Sequence, residues 1–226
     1  MHSKEFLRYA TQHHGIPADH LTRHAHTVHN GTRSVIEERA QPFREIDVFS
    51  RLIMDRIIFL GTPIDDQIAN IIIAQLLFLE SVAPEQEITL YINSPGGKVY
   101  PGLGIYDTMQ YIKPAIATIC TGLAASMAAV LLAGGTHAKR ASLPHARIMI
   151  HQPLGSMQGQ AADMEISMKQ MMLVREDLYK ILAHHTGQPF DVIEKNSDRD
   201  YWMRASQAQK YGLIDKVLTH KVTSPS

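Results

Sequence analysis

The sequence predicts an α/β fold with a largely parallel sheet, and three observations carry that prediction. From Val35 onward short β-rich runs alternate with helical ones, the pattern of strands joined by crossover helices. Glycine or proline closes several of the runs, as at Gly61-Thr62-Pro63, Pro114 and Gly187, where the backbone must turn. Hydrophobic residues make up 45% of the 226 positions and charged residues 19%, a globular composition that argues against a disordered, collagen-like or coiled-coil chain. A chain of this length buries about 70% of its unfolded surface and needs no covalent staples.

Taken in order, Ile57 to Leu60 reads as a strand, and after the turn Asp65 caps a helix over Gln67 to Leu79. Its Ile68, Ile71, Ile72, Leu76 and Leu79 form one apolar stripe. Ile88 to Ile92 is a second strand, ending in Asn93-Ser94-Pro95-Gly96-Gly97. An amphipathic segment from Gly104 to Ile112 stops at Pro114, Ala115 to Cys120 is a third strand, and Ser126 to Leu132 a helix. Ile148 to Ile150 is a fourth strand. The long helix from Ala162 to His185 carries Ile166, Met171, Val174, Leu178, Ile181 and Leu182 at helical spacing, with Gly187 just past its end. Its Met168, Met171 and Met172 read as core or subunit contact. Short helices over Asp191 to Asn196 and Gln207 to Tyr211 precede a last strand, Ile214 to Leu218.

Residues 1–33 stand apart. They hold seven of the thirteen histidines, His2, His13, His14, His20, His24, His26 and His29, without sustained apolar periodicity. Irregular spacing and the lack of accompanying cysteines favour a solvated or removable extension over a metal site. The expected organisation is an amino-terminal extension, 1–33, and one domain, 34–226.

Charge and cysteine content narrow the function. Twenty-two basic residues balance twenty-two acidic ones, so no net field recruits nucleic acid or an anionic membrane. The single cysteine, Cys120, sits in an apolar run and fits a buried thiol in a reducing compartment. Met1 to Leu7 has no secretory core. The longest apolar stretches, Ile68 to Leu79 and Cys120 to Gly135, read as buried helices too short or interrupted to span a bilayer.

Three strand ends carry features that chemistry can use, and ligands of parallel α/β folds gather at that edge. Gly96-Gly97 lets backbone N–H groups approach a reacting carbonyl, while no nucleotide-binding loop pattern is present. Ser126 stands among small residues in Gly122-Leu123-Ala124-Ala125-Ser126-Met127-Ala128-Ala129, at a strand-to-helix junction where the Met127 N–H is a second oxyanion donor. His151 follows Ile148-Met149-Ile150 directly, and an imidazole is the usual general base near neutral pH. A carboxylate to orient it comes from Asp191, Glu194, Asp198 or Asp200, and spacing alone does not choose.

Together these blocks resemble the ClpP family of serine peptidases. The likeness runs from about Val35 to His220 and rests on Tyr91-Ile92-Asn93-Ser94-Pro95-Gly96-Gly97, Ile105 to Gln110, Gly122 to Ala128, Met149 to Gly155, His185-Thr186-Gly187 and Asp198-Arg199-Asp200. The resemblance implies a spiral of ββα units, shared with crotonases, from which a long helix protrudes as a handle. It implies Ser126 as nucleophile, His151 as base and Asp200 as orienting carboxylate, with the oxyanion hole at Gly97 and Met127. It further implies a substrate-cleft strand that includes Gly155, Ser156, Met157 and Gln158, and an unfoldase-docking pocket with Tyr91 and Tyr111. Arg199 matches a ring-to-ring contact.

The same resemblance implies two stacked seven-membered rings that enclose the active sites, and an amino-terminal segment that holds acidic Glu5 and Asp19 and is not Ser/Arg-rich favours a bacterial cytoplasm over an organelle. In that family an AAA+ Clp unfoldase feeds the rings unfolded polypeptide and spends the ATP, so no cofactor is expected on this chain; the balanced charge and irregular histidine spacing likewise lead us to expect no nucleic acid, membrane or metal. Ser156, where the family commonly has glycine, and Met203-Arg204-Ala205-Ser206 depart from the family pattern. A crotonase-type acyl-CoA enzyme and an inactive ring subunit are the competing readings; neither requires the three triad residues.

Overall fold

The chain is described by a computed structural model covering Tyr9, Thr11, Gln12 and residues 35–37, 44–155 and 158–219. Its first elements are β1 (Val35–Glu37), β2 (Arg44–Ile46), α1 (Val48–Met54), β3 (Ile57–Leu60), α2 (Asp66–Val82) and β4 (Ile88–Ser94). The middle comprises α3 (Val99–Tyr111), β5 (Ile116–Ala125), α4 (Met127–Ala133), β6 (Arg140–Ser142) and β7 (Arg147–Ile150). The last are α5 (Ala161–Thr186), α6 (Phe190–Ser197), β8 (Tyr201–Arg204), α7 (Ala205–Tyr211) and β9 (Lys216–Val217).

Alternation builds the sheet. Ile88, Leu90 and Ile92 share one face of β4 and are completely buried, as period-two spacing requires. Strands β3, β4, β5, β6 and β9 lie in that order and pair in parallel. β5 has two partners on one side: Thr118 to Cys120 pair with β6, and Leu123 to Ala125 pair with β7. The division falls at Gly122. There the β4–β5 register slips between Ile92 and Ser94, and Asn93 Oδ1 fills the gap by accepting the Leu123 N–H at 3.1 Å. A Cβ on Gly122 would sit 2.7 Å from that oxygen. β8 then adds to β7 as an antiparallel strand.

The helices cover this sheet. Asp65 accepts the Ile68 N–H at 2.8 Å, capping α2 as its sequence position predicts. Every residue of α4 is buried. α5 buries Val174, Leu178, Tyr179 and Leu182 and ends at Gly187, whose φ of 71° is the left-handed cap glycine tolerates. Its first ten residues, 161–170, are all exposed, so that half projects from the body.

β6, β9 and the carboxyl end of α5 are locked by one buried ion pair. Arg140 is 4% exposed; its Nη2 and Nε donate to the two oxygens of Asp215 at 2.7 and 3.0 Å, and its Nη1 donates to the His185 carbonyl at 2.7 Å. Cys120 is buried as expected, and that burial pushes its thiol up to about 11.

Several sequence expectations need correction. Cys120 to Gly135 is not one helix: residues through Ala125 are strand and only Met127–Ala133 is helical, because β5 is enclosed by strands on both sides and tertiary pairing overrides the alanines' helix preference. α3 starts at Val99, well before Gly104; its Pro101 falls in the first turn, where the missing N–H costs nothing. Ile166, Met168 and Met172 are 67%, 51% and 47% exposed, so that part of the stripe is not core of this chain. β1, β2, α1, β6 and β8 are additional. Among the first 33 residues only Tyr9, Thr11 and Gln12 are described, with the Tyr9 ring 5.7 Å from Phe78; the histidines lie outside the described residues. Among the described residues no helix is long and apolar enough to cross a membrane.

Candidate active site

Three strand ends meet at one sheet edge. β5 and β7 run parallel with Ala125 beside Met149, so Ser126 and His151 leave the sheet together at carboxyl ends. β8 is antiparallel to β7 with Ile150 opposite Tyr201; one more step of that register sets His151 opposite Asp200, at the amino end of β8. The side chains join there: His151 Nε2 lies 2.8 Å from Ser126 Oγ, and His151 Nδ1 lies 3.0 Å from Asp200 Oδ1. With the ring proton donated from Nδ1 to the carboxylate, Nε2 is left to accept from the hydroxyl. Of the other carboxylates left open by spacing, Glu194 faces Arg175 at 3.7 Å, Asp191 lies in the first turn of α6 and Asp198 caps its end.

Ser126 is aimed by its backbone. It takes φ 55° and ψ −126°, an uncommon conformation for a residue with a Cβ. Its N–H is fixed to the Met149 carbonyl at 2.8 Å. The loop after β4 wraps against this turn. Ser94 Oγ donates to the Thr62 carbonyl at 2.7 Å and accepts the Gly96 N–H at 3.1 Å, while Ile64 and Lys98 complete a bridge around Gly97. Gly96 has φ 87° and Gly97 φ 153°. A Cβ on Gly96 would meet the Ala125 carbonyl at 2.5 Å, and one on Gly97 the Ile64 carbonyl at 2.2 Å, so both positions require glycine. Among the described residues neither the Gly97 nor the Met127 N–H donates to an internal acceptor. The sequence points to Gly96-Gly97 together for their N–H groups, and the resemblance selects Gly97; that Gly96 seats the Ser126 turn is a finding of the structure, for which the paired glycines are the available signal.

A hollow opens beside Ser126 and His151, walled by Val99, Met127, Val130, Ile150, Pro153, Leu178, Tyr179 and Leu182. Its walls are mainly hydrocarbon and offer little to a charge. Val130, Leu178 and Leu182 carry no sequence signal for a site, because apolar residues at helical spacing read as core.

The remaining expected positions scatter. Gly155 is exposed, and a Cβ on it would meet Met171 Cε of α5 at 2.2 Å. Ser156 and Met157 lie outside the described residues, and Gln158 is exposed. Tyr91 is half-buried on β4, Tyr111 is 84% exposed at the end of α3, and Arg199 is exposed beside Asp200. No cluster of three or more potential metal ligands occurs among the described residues.

Comparison with known proteins gives this geometry a context. Residues 38–221 match the Clp protease family. The chain belongs to the Clp protease family. Its α/β architecture with a projecting helix is the fold that the resemblance led us to expect. Among curated relatives, this Clp protease chain is 57% identical over 217 residues to the ATP-dependent Clp protease proteolytic subunit of Porphyromonas gingivalis, covering 95% of this chain and 97% of that one. Subunits of the same name from Bacteroides fragilis and Bacteroides thetaiotaomicron are 54% and 53% identical over 220 residues, covering 96% of this chain and 99% of each relative.

Proposed function

We propose that the chain is the serine endopeptidase subunit of an ATP-dependent, self-compartmentalised protease that cuts unfolded polypeptides into short peptides. The observation that carries this reading is the continuous hydrogen-bond path from Ser126 Oγ through His151 to Asp200, in a chain whose relatives are named as Clp protease proteolytic subunits.

The geometry performs the reaction in two stages. As Ser126 Oγ attacks the peptide carbonyl carbon, its proton passes to His151 Nε2, and Asp200 stabilises the imidazolium across Nδ1. The carbonyl oxygen gains charge and is received by the N–H groups of Gly97 and Met127, which have no competing internal acceptor. His151 then gives its proton to the departing amine, breaking the C–N bond and leaving an ester on Ser126. A water deprotonated by His151 attacks that ester, and the proton returns to Ser126 Oγ as the carboxylic acid leaves. No step draws on a cofactor bound to this chain. ATP is spent by an AAA+ Clp unfoldase partner, for which we retain Tyr91 and Tyr111 as docking positions.

Two stacked seven-membered rings in a bacterial cytoplasm complete the proposal. The exposed Ile166 and Met168 on the projecting part of α5, and Met172 and Leu173 just after it, join Arg199 as proposed contact surfaces, and the resemblance assigns the substrate cleft to positions 155–158. Apolar area of this kind on a single chain is best covered by another copy. Labelling with a fluorophosphonate, read by peptide mapping on assembled wild type and Ser126→Ala, tests the reading. An adduct on Ser126, with peptidase activity lost in the variant, is expected; retained activity in Ser126→Ala overturns it.

A further inference from the structure

The His151–Asp200 pairing needs a support that the sheet does not supply. The β7–β8 ladder ends at Ile150 and Tyr201, one residue short of both partners. Asp200 itself has a side chain 59% exposed, so packing does not hold it. What precedes it is the end of α6, whose final carbonyls have no partner within their own helix. Gln152 caps that end twice: its backbone N–H donates to the Ser197 carbonyl at 2.6 Å, and its side-chain Nε2 donates to the Asp198 carbonyl at 2.9 Å. Among the described residues, Gln152 and His151 are the two that hydrogen-bond to the turn formed by Asp198, Arg199 and Asp200.

We propose that Gln152 is a positioning residue that docks the Asp200 turn onto His151. Its backbone is one residue from the imidazole and its amide reaches the segment two residues before the carboxylate, so it ties the two halves of the pair on the side away from Ser126. Gln152 touches neither Ser126 nor the apolar hollow; it acts through the carboxylate. The inference rests on the proposed Ser126–His151–Asp200 chemistry.

The test is a double-mutant cycle on the assembled full-length protein, read as kcat and KM for a fluorogenic peptide. Gln152→Met keeps the side-chain length and removes the donor. Gln152→Glu keeps the shape and turns the donor into an acceptor facing the Asp198 carbonyl. Both should lower kcat by about tenfold, the scale of one misplaced hydrogen bond, with KM unchanged. In an Asp200→Ala background, Gln152→Met should cost less than about twofold more, because the group it positions is gone. Wild-type kcat in both single variants, or losses that multiply fully in the double variant, would overturn the proposal. So would failure of both single variants to assemble by light scattering, which would assign Gln152 to folding. If Asp200→Ala alone keeps full activity, the triad reading fails and takes this inference with it. If Asp200→Ala is impaired and the Gln152 variants are not, only the inference fails.

Discussion

Gly96 lies directly against the Ser126 turn: a Cβ placed on Gly96 would be 2.8 Å from the Ser126 Cβ and 2.9 Å from the Met127 nitrogen. Ser126 and the Met127 N–H, the proposed nucleophile and one of its two proposed oxyanion donors, are therefore seated on a position that tolerates no side chain. Gly96→Ala meets that clash and a φ of 87° together. We expect peptidase activity to drop by at least about 100-fold, the scale of a 1 Å displacement of reacting groups. Steady-state kinetics on assembled protein check this, and activity within a few-fold of wild type would mean the loop is not rigid.

The hollow beside Ser126 is walled mainly by hydrocarbon, with Val130, Ile150 and Leu182 almost fully buried. Peptides with Leu or Met before the scissile bond should be cut at least about 100-fold more efficiently than those with Asp or Lys, since a charge entering the hollow loses its hydration without gaining a partner. Comparing kcat/KM across a peptide series that varies only this residue measures it. Equal efficiencies would show that another surface holds that side chain.

How much of this was legible beforehand depends on how local each signal is. The Asp65 cap and the Gly187 stop are written within a turn of sequence, and both fall where expected. Ser126 and His151 stood out because each follows an apolar strand. Asp200 could not be chosen by spacing, since its place opposite His151 follows from an antiparallel pairing across 49 residues; family resemblance named it instead. β6 is three residues long and includes Arg140 and Ser142, so it carries no apolar alternation to read. The walls contributed by α5 were invisible for the opposite reason, because Leu178 and Leu182 look like any core stripe until the fold brings them beside Ser126.

Arg140 and Asp215 form a largely buried pair with side chains 4% and 16% exposed. Removing one partner strands the other. Asp215→Ala should destabilise the chain by about 3 kcal/mol, whereas Arg140→Met combined with Asp215→Leu should recover part of that loss, because an apolar pair leaves no unpaired charge. Denaturant unfolding at fixed protein concentration gives both values. A double variant less stable than Asp215→Ala would show that the Arg140 contacts to the Ala133 and His185 carbonyls matter more than the pair.

His185 sits where acid should enter the fold. Its Nε2 lies 2.8 Å from the Tyr106 hydroxyl, the rings meeting edge-on at 5.6 Å, with His184 at 4.9 Å and Arg140 bound to its carbonyl. Burial first, then the charges of His184 and Arg140, hold His185 down at about 4 against an ordinary 6.5. The folded state thus prefers the neutral ring. Its contribution is fully present above pH 6.5 and is lost as pH falls through about 4, because the unfolded chain binds the proton more readily. The ring is only half-buried, and solvent screening reduces the loss to about 1 to 2 kcal/mol. His185→Gln keeps a hydrogen-bonding group toward Tyr106 and cannot titrate. Unfolding free energies from pH 7.5 down to about 4, at one protein concentration, should decline more steeply for wild type than for His185→Gln, the difference isolating this ring from titrating carboxylates. Parallel profiles would place the acid sensitivity elsewhere.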